Sequence, residues 1–432
     1  MIDLFISVSK FIILLFMILY TFSCFNVFRY SSESDRVYVY FRQNIYMILI
    51  YTLSFFVLII ENHDIRYLYF YIGSLFCLCI YIVVNRIIYK RANKLITNNI
   101  CMLLSVGFII ISRLSFDKAI RQFSIAIIAI AITSFIPYII SKGPFFSKLK
   151  WTYALLGIAS LLLVLVFSVA TNGAKISFTL FGITFQPSEF VKIIFVFAIA
   201  SFLSKKNSFR DIVIVTIVAA IHVIILVLSK DLGGAVILFM TYLSMLYVAT
   251  SNIIYLALGT VAGVLGSFVG YKLFTHVRVR VNAFINPFDS IDTAGYQIAQ
   301  SLFAICTGGY FGMGLGQGMP KTIPVVVSDF VFSAICEELG VFFGICIVLI
   351  CLSCFVMFMN IALKFDNLFY KYVAVGIGVL YGFQVFLTIG GVTKFIPLTG
   401  VTLPLISYGG TSVLVTITMF SIIQGLYLGR NR

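Results

Sequence analysis

Apolar runs of about 20 residues recur from one end of this chain to the other, which is the length an α-helix needs to cross the hydrocarbon core of a bilayer. Hydrophobic residues make up 61% of the 432 residues and charged residues make up 10%. A typical soluble domain has about 25% charged residues. Because so few charges cannot cover a globule with polar surface, lipid must be the solvent for most of the chain. The sequence therefore predicts an all-α polytopic membrane protein.

The apolar runs predict about thirteen transmembrane helices. Their expected limits are 3–28, 44–62, 66–88, 98–115, 122–141, 152–170, 188–204, 211–229, 232–248, 252–275, 330–361, 371–392 and 405–428. The first run carries Lys10 near its start and lacks a small-residue cleavage site. We therefore expect a retained helix there rather than a cleaved signal peptide.

The positions of lysine and arginine predict the orientation, because cytoplasmic loops are enriched in these residues. With thirteen spans, five basic clusters fall on one side, which we assign to the cytoplasm: 86–94, 142–150, 205–210, 364–371 and 430–432. The N-terminus and the segments 171–187, 276–329 and 393–404 are then external. A further external cluster holds Arg113, Lys118 and Arg121, so either the rule fails there or these cations face an anion.

The net charge of +15 does not indicate a nucleic-acid partner. The basic residues lie between apolar runs, as topology signals do, and no basic face is interleaved with aromatic residues. The three histidines have no metal-ligand spacing, and no ligand set demands a metal. A divalent cation could nevertheless assist at a phosphate group.

Two short polar clusters interrupt the apolar runs. In FQPSEFVK, a loop enters a helix, and Pro187 suits the first helical turn. Glu189 and Lys192 are three residues apart on one helix face and can pair. In SKDLGGA, Asp231 lies between two apolar runs. Ionisable groups at membrane segments are costly and are usually functional. The alternatives are a helix start with a local ion pair and a short polar turn.

The long external loop 276–329 concentrates charge and glycine. It begins with His276, Arg278 and Arg280, continues through NPFDSIDTAGYQ, and ends with Lys321 and Asp329. Its middle, SLFAICTGGYFGMGLGQG, is apolar but too rich in glycine for a stable spanning helix, so it predicts interfacial or re-entrant structure. Cations beside a glycine-rich backbone can hold phosphate.

A fourth cluster, PLTGVTLPLISYGGTS at 397–412, breaks a segment at membrane depth with Pro397, Pro404, Gly409 and Gly410. Broken helices of this kind line cavities, whereas the alternative is a plain connecting loop. Glycosyl transfer needs little more than one carboxylate as base and cations that hold a phosphate leaving group. The external loops can supply both.

These motifs occur in a specific order: FQPSEFVK, DLGGA, GYQIAQSLFAICTGGYFGMGLGQG, DFVFSAICEELG and PLTGVTLPLISYGGTS. Together they resemble the SEDS family (shape, elongation, division and sporulation) of the FtsW, RodA and SpoVE type. The resemblance covers about 98–430. It implies a ten-helix core at 98–432 that contains the large extracellular loop 276–329, preceded by three additional helices in 1–97.

The resemblance implies a peptidoglycan glycosyltransferase in the bacterial cytoplasmic membrane. Such enzymes polymerise lipid II, the undecaprenyl-linked disaccharide peptide, at the outer face and release undecaprenyl pyrophosphate. It also implies a class B penicillin-binding protein as partner, together with division or elongation machinery and membrane lipid. The substrate-binding residues that we expect are Gln186, Ser188, Glu189, Lys192, Asp231, Arg278, Arg280, Tyr296, Gln297, Lys321, Asp329, Glu338, Thr399, Ser407, Tyr408 and Gly409.

The catalytic residue is where this sequence departs from the family. The family pattern N-P-x-x-D-P-x-G-x-G-Y-Q places an essential aspartate where this chain has Ser290. Asp289 is one position early and Asp292 is two positions late. We favour Asp292 as the base because it is four residues before Tyr296, close to the Gly-Tyr-Gln anchor. Asp289 is the alternative, and a third interpretation makes both aspartates structural.

Two other functions fit the same sequence features. A lipid II transporter without chemistry would suit the many helices and a charged cavity equally well, but it would make no glycan in detergent. A scaffold that only recruits a penicillin-binding protein would tolerate changes such as Lys192→Ala.

Overall fold

The computed structural model of the protein describes residues 2–30, 32–167, 169–171, 174–180, 183–205, 208–293 and 295–430. Its helices are α1 (Ile2–Arg29), α2 (Glu33–Asn62), α3 (Arg66–Ile88), α4 (Lys94–Leu114), α5 (Phe116–Thr133), α6 (Ile136–Lys142), α7 (Lys150–Phe167), α8 (Pro187–Leu203), α9 (Phe209–Leu228), α10 (Leu232–Thr250), α11 (Ile253–Leu273), α12 (Thr275–Ile285), α13 (Tyr296–Gly308), α14 (Val331–Leu339), α15 (Val341–Ala362), α16 (Leu368–Val392) and α17 (Gly410–Gly429). Its strands are β1 (Val169–Thr171), β2 (Ala174–Leu180) and β3 (Ile183–Phe185).

The helices confirm the prediction of a polytopic α-helical membrane protein. Within the described residues, 12 helical segments are long and apolar enough to cross a membrane, and α5 with α6 forms one of them. Helix α8 is 17 residues long and predominantly apolar, so the described residues agree with the predicted count of about thirteen crossings when α8 is included. Apart from 330–361, the predicted spans correspond one to one with these helical segments. The largest difference at a span start is α2, which begins at Glu33 rather than near 44 because its first turns are polar.

Helix α4 lies at the centre of the bundle, and its most apolar stretch is wholly buried. Asn93 caps this helix by accepting hydrogen bonds from the N–H groups of Leu95 and Ile96. Helix α11 is the opposite case, since none of its residues is buried. It packs along one side against Phe239 and Leu243 of α10, and because it is apolar all round it presents its other side chains to lipid.

The N-terminal helices join the bundle through polar contacts in the apolar layer. Tyr20 of α1 donates a hydrogen bond to Asn99 Oδ1 of α4 at 3.0 Å. Asn99 donates in turn to Ser353 Oγ of α15 at 2.9 Å. On α2, Gln43 accepts a hydrogen bond from Asn98 Nδ2 at 2.9 Å. Because interhelical hydrogen bonds act as polar glue where water is absent, they fix α1 and α2 against α4 and α15.

Successive crossings alternate in direction, so the non-helical connections gather at the two ends of the bundle. One end, which we call the loop end, contains the start of α8, the turn between α9 and α10, the segment 274–340 with α12, α13 and α14, and the segment 393–409. This end corresponds to the side on which the sequence predicts the long external segments.

A small antiparallel sheet lies at 169–185, before α8, in a region where the sequence analysis anticipated no strands. Val169 pairs with Ser177, and Phe178 pairs with Phe185, in the order β1-β2-β3. The sequence of β2, AKISFTL, contains the β-branched and aromatic residues that are common in strands. Because the strand is only seven residues long, this pattern is difficult to recognise beside the long apolar runs.

The predicted single span 330–361 is wrong in one respect, because the structure divides it at Gly340 into α14 and α15. Gly340 has φ +90° and ψ 162°, which an α-helix cannot contain. A Cβ atom at this position would lie 2.5 Å from both the N atom of Gly312 and the O atom of Tyr310. The turn therefore exists because the glycine-rich chain packs directly against it.

Alanine at position 340 tests this account. We expect Gly340→Ala to destabilise the protein by at least about 2 kcal/mol, because the new methyl group meets backbone and the residue is held at positive φ. Thermal unfolding in detergent measures the change. Gly266→Ala in α11 is the matched control, since a Cβ atom there meets nothing within 4 Å. Equal melting temperatures for the two variants would contradict the account.

Candidate functional site

The start of α8 brings three polar elements of the loop end together. Gln186 is the residue before the helix, and its backbone N–H donates to Thr411 Oγ1 at the start of α17 at 3.2 Å. Its side chain donates to Ser188 Oγ at 3.1 Å. Ser188 donates to Asp231 Oδ2 at 3.2 Å, and Asp231 Oδ1 caps α10 by accepting from Gly234 N at 2.8 Å. The starts of α8, α10 and α17 thus meet at one place.

The predicted pair on α8 is confirmed as an ion pair. Lys192 Nζ lies 2.6 Å from Glu189 Oε1, and both side chains are buried. A lysine inside a membrane protein is costly unless it is paired, and here the neighbouring carboxylate satisfies it. Glu189 therefore holds the lysine ammonium group in place at the start of α8.

A second group of charges faces the same end of the bundle, and we call Asp231, Arg280 and Asp329 the charged centre. Arg280 on α12 donates to the carbonyl of Thr399 at 3.2 Å. A Cβ atom on Gly400 would lie 3.7 Å from Asp329 Oδ2 and 3.9 Å from Arg280 Nη2, so both side chains reach the same glycine. No ion pair within 4.0 Å joins Arg280 to Asp329 among the described contacts.

Burial changes the acid strength of these groups. The pKa of Asp329 is raised, chiefly because burial disfavours its charged form, while Ser328 and Arg280 oppose the shift. The pKa of Arg280 is lowered by burial and is held up by the charges of Asp329 and Asp231. A carboxyl group with a raised pKa beside an unpaired cation suits recognition of a hydroxyl next to a phosphate.

Two buried polar atoms near this centre have no hydrogen-bond partner in the described structure. They are Thr399 Oγ1 and His276 Nε2. Burial lowers the pKa of His276, and the charges of Arg280 and Lys230 lower it further. Because buried polar atoms are normally satisfied, unpartnered ones beside unpaired charges are typical of a site that a polar ligand completes.

The non-helical segment 393–409 forms one wall of the loop end. Ser407 donates from its hydroxyl to the carbonyl of Ser328, and Tyr408 N donates to Val327 O at 2.8 Å. Gln122 on α5 accepts from Gly409 N at 3.2 Å and donates to Ser407 O at 3.1 Å. These bonds satisfy the backbone of a non-helical segment between two long helices, in agreement with the broken segment that the sequence predicts here.

Gln122 and Thr411 are the residues that the sequence analysis missed. Gln122 is fully buried and lies at the start of the predicted span 122–141. A polar amide in an apolar run was the available signal, because such residues are usually engaged in helix contacts. Thr411 lies inside the predicted 397–412 cluster and was not singled out.

Glu337 and Glu338 hold the glycine-rich chain that follows α13. Glu337 Oε1 accepts from Met319 N at 2.7 Å, and the Glu338 carboxylate pairs with Arg113 at 3.0 Å. Arg113 also donates to the carbonyls of Gly316 and Gly318. Arg113 therefore does face an anion, and Glu338 is engaged by protein rather than left open for a ligand.

The loop with the two predicted catalytic aspartates is exposed. Asp289 and Asp292 are exposed, and no described hydrogen bond or ion pair joins either of them to the charged centre. Ser290 O accepts from the N–H groups of Thr293 and Gly295, which closes the turn before α13. The structure brings Asp329 to the charged centre and leaves Asp292 on the loop.

Other predicted binding residues lie at the edge of the loop end. Arg278 is exposed and donates to Lys272 O at 3.0 Å, and Lys321 is exposed. Tyr296 contacts Thr322 O at 3.5 Å, and Gln297 is partly buried at the start of α13. The described contacts do not join these side chains to the charged centre.

A family model described as "Cell cycle protein" and covering FtsW, RodA and SpoVE matches residues 92–430. The chain belongs to the FtsW/RodA/SpoVE family. The match spans every element that forms the loop end, whereas α1, α2 and α3 precede it.

Named relatives agree with the family. The chain is 36% identical over 277 residues to peptidoglycan glycosyltransferase RodA of Mycobacterium bovis, which is 60% of this chain and 59% of that protein. It is 35% identical over 275 residues to stage V sporulation protein E of Bacillus subtilis, which is 61% of this chain and 75% of that protein. The match thus spans about three fifths of the RodA relative's own length.

A solved structure shares the fold. It is described as "Structural coordination of polymerization and crosslinking by a peptidoglycan synthase complex", and one of its chains superposes with a TM-score of 0.67. That chain is 23% identical to this protein, and the match covers 79% of this chain and 99% of that chain.

In this FtsW/RodA/SpoVE family member, Glu338 makes stability depend on pH. Burial raises the pKa of Glu338 to about 7, against 4.5 for an ordinary glutamate, although Arg113 opposes the shift. The unfolded chain therefore loses this proton at lower pH than the folded protein does. Its contribution is fully present below about pH 4.5 and is lost as the pH rises to about 7.

Glu338→Gln tests this dependence, because glutamine resembles the protonated acid and cannot titrate. We expect similar melting temperatures for the variant and the wild type at pH 5. At pH 8 we expect the variant to be more stable by roughly 3 kcal/mol, since a tenfold change in the acid dissociation constant corresponds to about 1.4 kcal/mol. Thermal unfolding in detergent at both pH values measures this, and a wild type that is the more stable at pH 8 would contradict it.

Proposed function

We propose that this protein is a peptidoglycan glycosyltransferase that polymerises lipid II and releases undecaprenyl pyrophosphate. Family membership and the relative named peptidoglycan glycosyltransferase RodA support the proposal. We assign the activity to the outer face of a bacterial cytoplasmic membrane, with the loop end outside and the basic loops inside, as the distribution of lysine and arginine favours.

The observation that carries the proposal is the arrangement of the charged centre. Arg280 and Asp329 both lie close to Gly400 without forming an ion pair within 4.0 Å among the described contacts, and the buried hydroxyl of Thr399 has no partner within the described structure. A cation that is not neutralised at short range can hold a pyrophosphate, and a carboxyl group beside it can hold a sugar hydroxyl. The transfer of a glycosyl group from a lipid pyrophosphate needs both.

The proposed reaction joins two sugars. The 4-hydroxyl of the acceptor sugar attacks the anomeric carbon of the lipid-linked donor, and the bond from that carbon to the pyrophosphate oxygen breaks. Asp292 accepts the hydroxyl proton as general base, with Asp289 as the alternative. Arg280 stabilises the negative charge that develops on the leaving pyrophosphate, and Lys192, oriented by Glu189, assists it.

The remaining predicted residues are assigned to the binding of the lipid-linked substrate. Arg278 and Lys321 supply further positive charge at the edge of the site. The segments 186–192 and 397–412 are assigned to contact the lipid-linked substrate, and Asp329 is assigned to orient the acceptor hydroxyl. A divalent cation could assist at the pyrophosphate.

The experiment is polymerisation of lipid II by purified protein in detergent. We expect Asp292→Ala to lower kcat by about 100-fold or more, because a lost general base costs about 10²–10⁴ in rate. We expect Asp329→Asn mainly to raise KM, by about tenfold, as for a lost hydrogen bond to a charged group. Asp366→Ala, which changes an exposed aspartate at the opposite end of the bundle, is the matched control.

The outcomes separate the alternatives. Full polymer from Asp292→Ala would exclude this residue as base, and loss of kcat in Asp289→Ala or Asp329→Asn would then identify the base. Polymer from every aspartate variant would exclude the mechanism. Absence of polymer from the wild type in detergent, where there is no bilayer to flip across, would favour a lipid II transporter.

We also propose a class B penicillin-binding protein as partner, together with division or elongation machinery. The fold shared with a chain of a peptidoglycan synthase complex supports such an assembly. Within this chain we assign the glycosyltransferase core to 98–432, with the loop 276–329, and the additional helices to 1–97. Copurification with a penicillin-binding protein from membranes of the source cell tests the partner.

A further inference from the structure

The N-terminal helices contact the glycine-rich segment Gly309–Met319, which we call the glycine segment. Lys10 of α1 donates a hydrogen bond from Nζ to Gly312 O at 2.8 Å, across 302 residues of sequence. The rings of Phe11 and Phe311 lie 5.5 Å apart beside this bond. Lys10 lies within the membrane-spanning part of α1. A lysine in such a helix is costly unless a partner or water satisfies it.

A second contact lies at the end of α2. Glu61 Oε2 accepts from Gln317 Nε2 at 3.2 Å. A Cβ atom on Gly316 would lie 3.0 Å from Glu61 Cγ, and one on Gly314 would lie 3.3 Å from Ile6 Cγ2. The two helices thus approach the backbone of the glycine segment closely, at positions where a larger residue would keep them apart.

The family core holds the same segment from its other side. Met313 N and Gly314 N donate to the carbonyls of Glu337 and Glu338, each at 2.9 Å, and Arg113 binds the carbonyls of Gly316 and Gly318. The glycine segment therefore lies between two sets of contacts. One set belongs to the region that the family model matches, and the other belongs to helices that precede it.

The glycine segment connects the loop that carries Asp292 to the turn that carries Asp329. It follows α13, which begins directly after the loop with Asp292, and it precedes the turn that presents Asp329. Glycine has more backbone freedom than any other residue, so a segment rich in it needs external contacts to hold one conformation. Because α1 and α2 are themselves fixed to α4 and α15, they can supply a rigid support.

We propose that α1 and α2 form a latch that holds the glycine segment, with Lys10 as its principal positioning residue. Only the expected effect of the latch on turnover rests on the proposed function. Its effect on the segment itself follows from the contacts alone. Removal of the Lys10 ammonium group leaves Gly312 O without this donor and releases the side of the segment that faces α1.

Hydrogen–deuterium exchange and polymerisation kinetics of the full chain test the latch. For Lys10→Met we expect amides in 309–319 to exchange at least about fivefold faster than in the wild type, while those of α15 are unchanged. We expect kcat for lipid II to fall several-fold with KM nearly constant, because the segment positions reacting groups rather than binds substrate. Lys10→Arg restores a donor and should return both measurements toward the wild-type values.

The controls separate the latch from other effects. Lys90→Met removes an exposed lysine at the opposite end of the bundle and should change neither measurement. If Lys10→Met does not fold, Glu61→Ala removes the contact at the end of α2 and should speed exchange around Gln317. Unchanged exchange in 309–319 would overturn the latch. Faster exchange with unchanged kcat would overturn the positioning role, and a wild type that makes no polymer would overturn the proposed function but not the latch.

Discussion

The loop end depends on one constraint: the backbone N–H and C=O groups of its non-helical segments need hydrogen-bond partners. Two largely irregular segments, 309–330 and 393–409, lie among the ends of the long helices and are partly buried, so the protein itself must satisfy much of their backbone. Arg113, Gln122 and the carbonyls of α14 supply the missing partners. Each of these hydrogen bonds also holds part of the backbone in place. The same bonds therefore satisfy the irregular segments and position the residues of the site.

The charges of the loop end divide into paired and unpaired groups. Glu189–Lys192 and Arg113–Glu338 are close ion pairs in buried surroundings. They hold the side chains and the neighbouring backbone in one orientation. Arg280 and Asp329 remain apart, and both have pKa values moved by burial toward the uncharged form. Partly buried charges without close partners are costly, which is typical of a site that a ligand completes.

The glycine segment links the site to the part of the chain outside the family match. Its backbone accepts or donates hydrogen bonds on one side with α14 and Arg113 and on the other side with Lys10. The helices α1 and α2 are therefore structural neighbours of the loop end and not a separate appendage. They pack into the same hydrophobic core as α4 and α15.

The sequence by itself indicated about thirteen crossings, the long loop and a pair of charges on one face of α8, because apolar length and helical spacing are local properties. It also identified the polar clusters that meet at the loop end, although it did not predict the strands at 169–185 or the turn at Gly340. Only the tertiary structure decided that Asp329 and Arg280 both lie close to Gly400 while Asp292 stays exposed, and that Lys10 reaches Gly312. Those pairings join residues far apart in the chain, and only the packing of the helices sets the distances between them.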